Sequence, residues 1–577
     1  MREPFRSRLG LALVLAPVVG QFVVVFLLGV NTPVGDEFAY VDFVRAVREG
    51  GSWLPMVWWQ HNEHRVVPVK LTMALLEPFI GWNLRAEMYV SAILAGLVVL
   101  GLWRLYRLAG GASLLLFAPV SWLYCNFSQY ESMLYGLLMC HYFTAAGVVW
   151  ALVFLARRSG TGIVLAVLCG LIASFSTLNG LLVWPLGLVS LLARGERPAR
   201  TIAWIAAGAA AFVLYFFDFQ QPPGLAALHL GLTELPRIAK YGITVLGAPL
   251  AAGSIGWSRA VGLTLLVLIA TIAHRWLRRS GRARLRDDDV FPASLMLFGL
   301  VSCAIIAGGR ASTGVPPLES RYIAYTSLTF VGIYLLISRA AERSTVPLAQ
   351  CPWLVAILAL FVPGVIAADL QGFQEARLWR ATGLRDQFLL QTFDRQPDEV
   401  LGEPAFVAHL RRTAPYLRAH RLGAFAEPQR LLLLTRWAER EATGLVLPGR
   451  PIEQRLVCPV DELRDVALTL AREGPPDEAT VAISVWMGGR RLAGRTLQVS
   501  ALPARWTEVP LPEPLRSCQG RELTVRVESS NAVPTTRLVY FTFPEYYPGE
   551  LRQAGVPLAP GRSLGLSLNG FFFGLLE

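Results

Sequence analysis

Long apolar runs, separated by short arginine-bearing turns, fill the first 370 residues of this chain. They lie at about 9–30, 86–106, 112–128, 134–156, 162–178, 180–195, 201–217, 258–276, 290–308, 322–341 and 353–369. Each approaches the roughly 20 apolar residues that cross a bilayer as a helix. The pattern predicts an α-helical polytopic membrane protein with about 11 spans. Residues 238–253 are predicted as a re-entrant or interfacial helix.

Beyond residue 370 the pattern changes. Residues 371–444 show helical spacing and are predicted as a helical connector, with Leu389, Leu390 and Phe393, Val407 and Leu410, and Leu431 to Leu434 as its apolar positions. Residues 445–577 alternate apolar and polar side chains, as in Thr480 to Trp486, Arg495 to Val499 and Leu523 to Val527. Strands alternate in this way because successive side chains point to opposite faces. A small β-sandwich outside the membrane is expected there. Residues 1–370 then form the transmembrane domain.

Charge gives the predicted spans a direction. Arg104 and Arg107, Arg157 and Arg158, Arg194 to Arg200, Arg275 to Arg286, and Arg339 and Arg343 all fall on one side. Short basic loops stay in the cytoplasm. The opposite side receives the 31–85 loop, the turns at Ser128–Glu131 and Thr177–Asn179, the segments 218–257 and 309–321, and everything after 370. An odd number of spans puts the two termini on opposite faces. Met1 to Arg8 holds three arginines ahead of a long apolar run, which is read as an uncleaved first span rather than a signal peptide.

Composition agrees. Of 577 residues, 54% are hydrophobic and 16% charged, against about 25% charged in a soluble protein. The net charge of +12 comes from 53 Lys and Arg, of which only Lys70 and Lys240 are lysine. Much of that charge sits in short loops between spans, so it need not mean nucleic acid. Among seven cysteines, only Cys458 and Cys518 lie in the predicted external domain. An oxidising compartment would let them pair.

The chemistry concentrates on the external side. Asp36 and Glu37 follow the first apolar run, behind Gly35. Ionisable groups beside a bilayer are costly to place and mark functional sites. A carboxylate there is a candidate base. His61, Glu63, His64 and Arg65 follow in the same loop, after Trp58 and Trp59. They read as a phosphate-facing cluster, with Arg65 as a planar fork, or as a divalent-metal site. Their spacing is no recognised zinc pattern, so metal dependence stays open. Glu131 and Asn179 sit in external turns and can converge on the same pocket. Arg310, Arg321 and Tyr322 bracket a polar segment between two spans. Arg321 opens a predicted helix, whose N-terminus favours anions.

Taken in order, Gly35-Asp36-Glu37, His61 to Arg65, Gln129-Tyr130-Glu131, Leu178-Asn179-Gly180 and Ser320-Arg321-Tyr322 resemble a bacterial branch of the GT-C glycosyltransferase superfamily. The resemblance covers about residues 1–370. It implies a GT-C-like helical bundle in the bacterial plasma membrane, with the C-terminal domain outside. It also implies a polyprenyl-phosphate-linked sugar donor, a glycan or lipid acceptor on the external face, and inversion by direct displacement. By position Asp36 matches the superfamily's first-loop catalytic acid. Arg310 and Arg321 match its habit of basic residues near the donor phosphate. The WWD-type signature of oligosaccharyltransferases is missing, because Trp58-Trp59-Gln60 leads into His61. An O-antigen polymerase or ligase and a polyprenyl-lipid flippase or transporter are the rival classes. A transporter would show internal repeats and charge near the midplane; here the candidates are loop residues on one face.

Overall fold

The computed structural model describes residues 3–221, 233–279, 287–343, 351–391, 393–394, 398–427, 430–431, 441–445, 450–458, 462–468, 470–473, 480–498, 507–516, 518, 521–530, 537–544, 549–553, 556–557, 562–564 and 566–571. Two compact units divide the chain. One is residues 1–30 with 35–379, and the other is residues 31–34 with 380–577. The basic residues 282–286 and the apolar positions 432–434 lie outside the described residues.

The first unit is helical. Among the described residues, eight helices are long and apolar enough to cross a membrane: Ser7–Leu28, Leu84–Leu108, Gly136–Ala156, Pro198–Phe216, Ile255–Trp276, Asp288–Arg310, Ser320–Glu342 and Pro352–Gln391. Their outward faces carry large exposed apolar side chains, such as Phe26, Val213, Val267 and Ile366. Three of the eleven predicted spans form shorter helices instead, Leu114–Tyr124, Gly160–Ser174 and Val183–Ala193. Their apolar runs are shared with irregular turns. The 3-10 turns Phe127–Gln129 and Leu178–Leu182 consume residues that hydropathy alone assigns to spans. Helix starts follow local chemistry. Asn83, Ser113 and Ser159 each accept a backbone N–H with the side chain, as N-caps do. The expected interfacial segment is the helix Leu235–Gly247, about 20 Å long and too short to span.

One helix pair positions two of the candidate arginines. Asp287–Arg310 and Ile323–Glu342 pack along their length. A side-chain carbon on Gly299 would overlap Thr329 Oγ1 and Tyr325 O, and one on Gly332 would overlap Pro292 O and Met296 N. Glycine on each helix lets the backbones close up, and close packing is what holds helices together in lipid. The pair carries Arg310 at the end of one helix and Ser320–Tyr322 at the start of the other.

The second unit begins within the helix Pro352–Gln391, which at 40 residues is about 60 Å long. Helices Asp398–Leu401 and Pro404–Ala419 follow. The strands then form antiparallel sheets. The largest has six strands, in the order Val556–Pro557, Gly549–Gln553, Ile452–Val457, Glu522–Ser529, Thr480–Met487 and Arg490–Gln498. Val481, Ile483, Val485, Leu523, Val525 and Val527 are fully buried, as the alternation predicts. Ile483 lies opposite Val527, and Val485 opposite Val525. Cys458 and Cys518 form a disulfide, with Cα atoms 5.8 Å apart.

Losing that bridge should cost this unit about 2–5 kcal/mol. Cys458→Ser should therefore speed hydrogen exchange in Ile452–Val457 and Glu522–Ser529, measured by mass spectrometry. Unchanged exchange would show that the bridge does not hold the sheet.

Candidate active site

A cavity of about 350 Å³ opens in the first unit. Asp36, His61, Glu63, His64, Asn179, Arg310, Arg321 and Tyr322 line it, drawn from four stretches of chain. Three candidates are near but do not line it: Glu37, Arg65 and Glu131.

The loop after the first helix builds one wall. Gly35, at φ +49°, turns the chain into the 3-10 helix Gly35–Tyr40. Three residues per turn point neighbours in different directions. Asp36 faces the opening, while Glu37 is buried and accepts the Leu137 N–H (3.1 Å). Glu37 thus ties the loop to the next wall and does not reach substrate space. Gly136 is confined between the carboxyl groups of Glu37 and Glu87.

His61 to His64 is a tight reversal, closed by His61 N–H to His64 O (2.7 Å) and His64 N–H to His61 O (2.8 Å). Asn62 takes the left-handed conformation, at φ +49°, which asparagine tolerates. The reversal brings His61 Nε2 to 3.3 Å from Asp36 Oδ2. That hydrogen bond holds the Asp36 carboxyl below its usual pKa; partial burial opposes the shift, and the charges of His61 and Arg321 reinforce it. Asp36 is therefore an anion at neutral pH.

His64 is set by its partners. The Leu178 N–H donates to Nδ1 (3.2 Å), so the ring proton is on Nε2, 3.8 Å from Glu63 Oε1. Burial holds its pKa at about 4 despite Glu63, with the nearby cations acting in the same direction as burial. The ring is neutral. Glu63 forms an ion pair with Arg310. Burial raises its pKa, but His64 and Arg310 together outweigh that and leave it lowered. Among the described residues no three His, Cys, Asp or Glu side chains group to hold a metal ion.

Arg65 has a structural role. Its guanidinium donates to Tyr215 O (3.0 Å), Trp58 O (3.2 Å) and Phe217 O. The expected phosphate fork is spent on backbone carbonyls. Val66, next to it, is left-handed at φ +47°, a strained state for a β-branched residue. Tyr215 OH donates to Glu63 O (2.5 Å).

Glu131 positions rather than lines. Its carboxylate accepts the Arg321 N–H (3.2 Å), and its own N–H donates to Ser320 Oγ (3.1 Å). Ser320 Oγ donates in turn to Ser128 O (2.6 Å). Arg321 is thus clamped at its backbone while its side chain reaches Glu319 (3.0 Å). Tyr135, His141 and Tyr325 also line the cavity, and sequence patterning did not single them out. An ionisable histidine inside an apolar helix was the available signal for His141. Tyr325 OH and Thr177 Oγ1 are 2.9 Å apart, and Thr177 Oγ1 is 2.8 Å from Thr144 Oγ1. This hydroxyl chain supports the turn that carries Asn179.

No family model matches the chain, and no curated protein matches it. Solved structures do. The chain is similar to ArnT from Cupriavidus metallidurans, crystallised with undecaprenyl phosphate, at 13% identity and TM-score 0.37, over 71% of this chain and 88% of ArnT. It is also similar to the arabinosyltransferase EmbB from Mycobacterium smegmatis, at 12% identity and TM-score 0.33, over 96% of this chain. The chain spans 64% of EmbB. Likeness at this level does not bear on chemistry.

Burial pushes Glu131 up to about 7, with repulsion from Glu319 adding to it and Arg321 opposing. A carboxyl with a raised folded pKa holds its proton more tightly folded than unfolded. It adds stability below the ordinary carboxylate range, and that stability fades as pH climbs through about 7. Glu131→Gln keeps the neutral shape. It should flatten the fall in detergent thermal stability between about pH 5 and about pH 8. A slope equal to that of the unaltered protein would refute this account.

Proposed function

We propose that this protein is an integral membrane glycosyltransferase. It moves a sugar from a polyprenyl-phosphate donor to a glycan or lipid acceptor on the external face of a bacterial plasma membrane. One observation carries the reading: a single cavity at the ends of apolar helices holds an anionic Asp36 with its histidine and two arginines. Base and phosphate clamp are what this reaction needs together. The Cys458–Cys518 bridge supports an oxidising, external location for the sheet-bearing unit.

The reaction is a single displacement. The acceptor hydroxyl oxygen attacks the anomeric carbon as Asp36 takes its proton. The carbon–oxygen bond to phosphate breaks, and the electron pair leaves on the phosphate oxygen. The anomeric configuration inverts. The phosphate gains one negative charge as it departs, and Arg310 and Arg321 are placed to stabilise that gain. In the resting cavity each arginine is paired, with Glu63 and Glu319. His61 keeps Asp36 ionised and oriented, and the neutral His64 offers Nε2–H to an oxygen.

Asp36→Asn keeps shape and removes basicity. Transfer should fall by about a hundredfold to ten-thousandfold, measured with a radiolabelled polyprenyl-phosphate sugar, while donor binding survives. Glu37→Gln should do much less, since Glu37 faces Leu137. Parental transfer by Asp36→Asn would remove the main support for this reading.

Arg321→Ala should raise the donor KM by about tenfold to a hundredfold, the worth of a charged hydrogen bond at roughly 1.5–3 kcal/mol. Arg45→Ala, at an exposed residue that pairs with Glu49 one turn further along, is the control. Equal small effects would refute the assignment.

A further inference from the structure

A second cavity, of about 380 Å³, lies on the other side of the His61–His64 reversal. Trp58, Trp59, Gln60, Asn62, Asp218 and Gln220 line it. Asn62 lines both cavities. The two spaces therefore share a wall one residue thick in sequence, with His61 and Asp36 just behind it.

Its rim is built and held. Gln60 Nε2 donates to Gln220 O and to Asn62 O, both at 2.5 Å, and the Gln220 N–H donates back to Gln60 Oε1 (3.1 Å). Asp218 takes the left-handed conformation, at φ +52°. Aspartate, like asparagine, tolerates that conformation. The Arg65 guanidinium borders the cavity but is spent on three carbonyls and lies 5.1 Å from the Trp58 ring centre. It offers little to a phosphate.

What remains available is an indole face, carboxamides and a carboxylate. Trp59 is 59% exposed. A flat apolar face beside a few polar groups suits a ligand with an apolar C–H face and a ring of hydroxyls. Hydroxyl protons need acceptors, which Asp218 and the amide oxygens supply. That ligand is a sugar.

We propose that this cavity seats the acceptor sugar. The proposal rests on the glycosyltransferase reading for the word acceptor only; sugar binding here stands or falls by itself. The seated ring packs on Trp59 and hydrogen-bonds Asp218 and Gln220. Its neighbouring hydroxyl passes Asn62 to reach Asp36. The sugar is either the head group of a glycolipid or a residue of a free glycan.

The test uses the full chain in nanodiscs. The probes are oligosaccharides released by mild acid from bacterial envelopes, and the same glycolipids left intact in the disc. Binding is read by titration calorimetry for the unaltered protein, Trp59→Ala, Trp59→Phe, Asp218→Asn and Arg45→Ala. Trp59→Ala and Asp218→Asn should each weaken sugar binding by about tenfold or more, while Trp59→Phe retains most of it and Arg45→Ala, away from both cavities, all of it. Undecaprenyl phosphate binding should be unchanged in every Trp59 and Asp218 variant. Binding of the free oligosaccharides identifies a glycan chain; binding of the intact glycolipids alone identifies a lipid head group. The proposal is overturned if neither form binds, if Trp59→Ala binds as the unaltered protein does, or if discs of lipid without sugar respond equally, which would make Trp59 an interfacial anchor. Failure of the transferase reading looks different: undecaprenyl phosphate does not bind, or Asp36→Asn transfers sugar normally.

Discussion

An irregular loop packed against apolar helices must find partners for its backbone carbonyls, because no water is there to take them. Two cations meet that constraint here. Arg65 donates to the carbonyls of Trp58, Tyr215 and Phe217. Lys70 donates to those of Met56 (3.0 Å), Val57 (3.4 Å) and Trp59. Burial, and Arg65 beside it, lowers the Lys70 pKa to about 8, so its proton is retained at neutral pH. Neither residue touches the cavity where chemistry is proposed. They hold the chain that leads into the His61–His64 reversal, which Tyr215 and Leu178 hold in turn.

Both of the cavity's arginines are held by carboxylates, Arg310 by Glu63 and Arg321 by Glu319, and Asp36 is held by His61. Under the proposed function, an arriving phosphate competes for arginines already held by carboxylates, and it gains most where its own charge grows. Under the proposed reaction, that arrangement favours the departing phosphate over the bound one, which is the direction catalysis requires.

Much of this was legible in the chain. The eight long helices follow from apolar runs, and the paired strands from period-two alternation. Asp36, His61, Arg310 and Arg321 could be picked out because charge is rare beside apolar helices, and the fold brings them to one cavity. Side-chain direction was not legible. Asp36 and Glu37 are equivalent as sequence and diverge because a 3-10 turn separates neighbours. Arg65 looked like a phosphate ligand because nothing local shows that Tyr215 and Phe217 will offer carbonyls from far along the chain. His141 was legible in principle, as an ionisable residue in an apolar helix, but nothing local ties it to the other site residues. The shortness of three of the predicted helices was not legible, because hydropathy does not register where a turn interrupts an apolar run.

The glycine-packed helix pair limits how the site can change. Gly299 and Arg310 are eleven residues apart, as are Arg321 and Gly332. Eleven residues make about three helical turns, so glycine and arginine fall on the same face, and one added residue would swing the arginine by about 100°. Side chains along these stretches can vary in kind, provided the glycines stay. Their number cannot. Insertions and deletions are barred between the contact point and the charge, so the helices act as rulers, and drift in length must be confined to the loop that joins them.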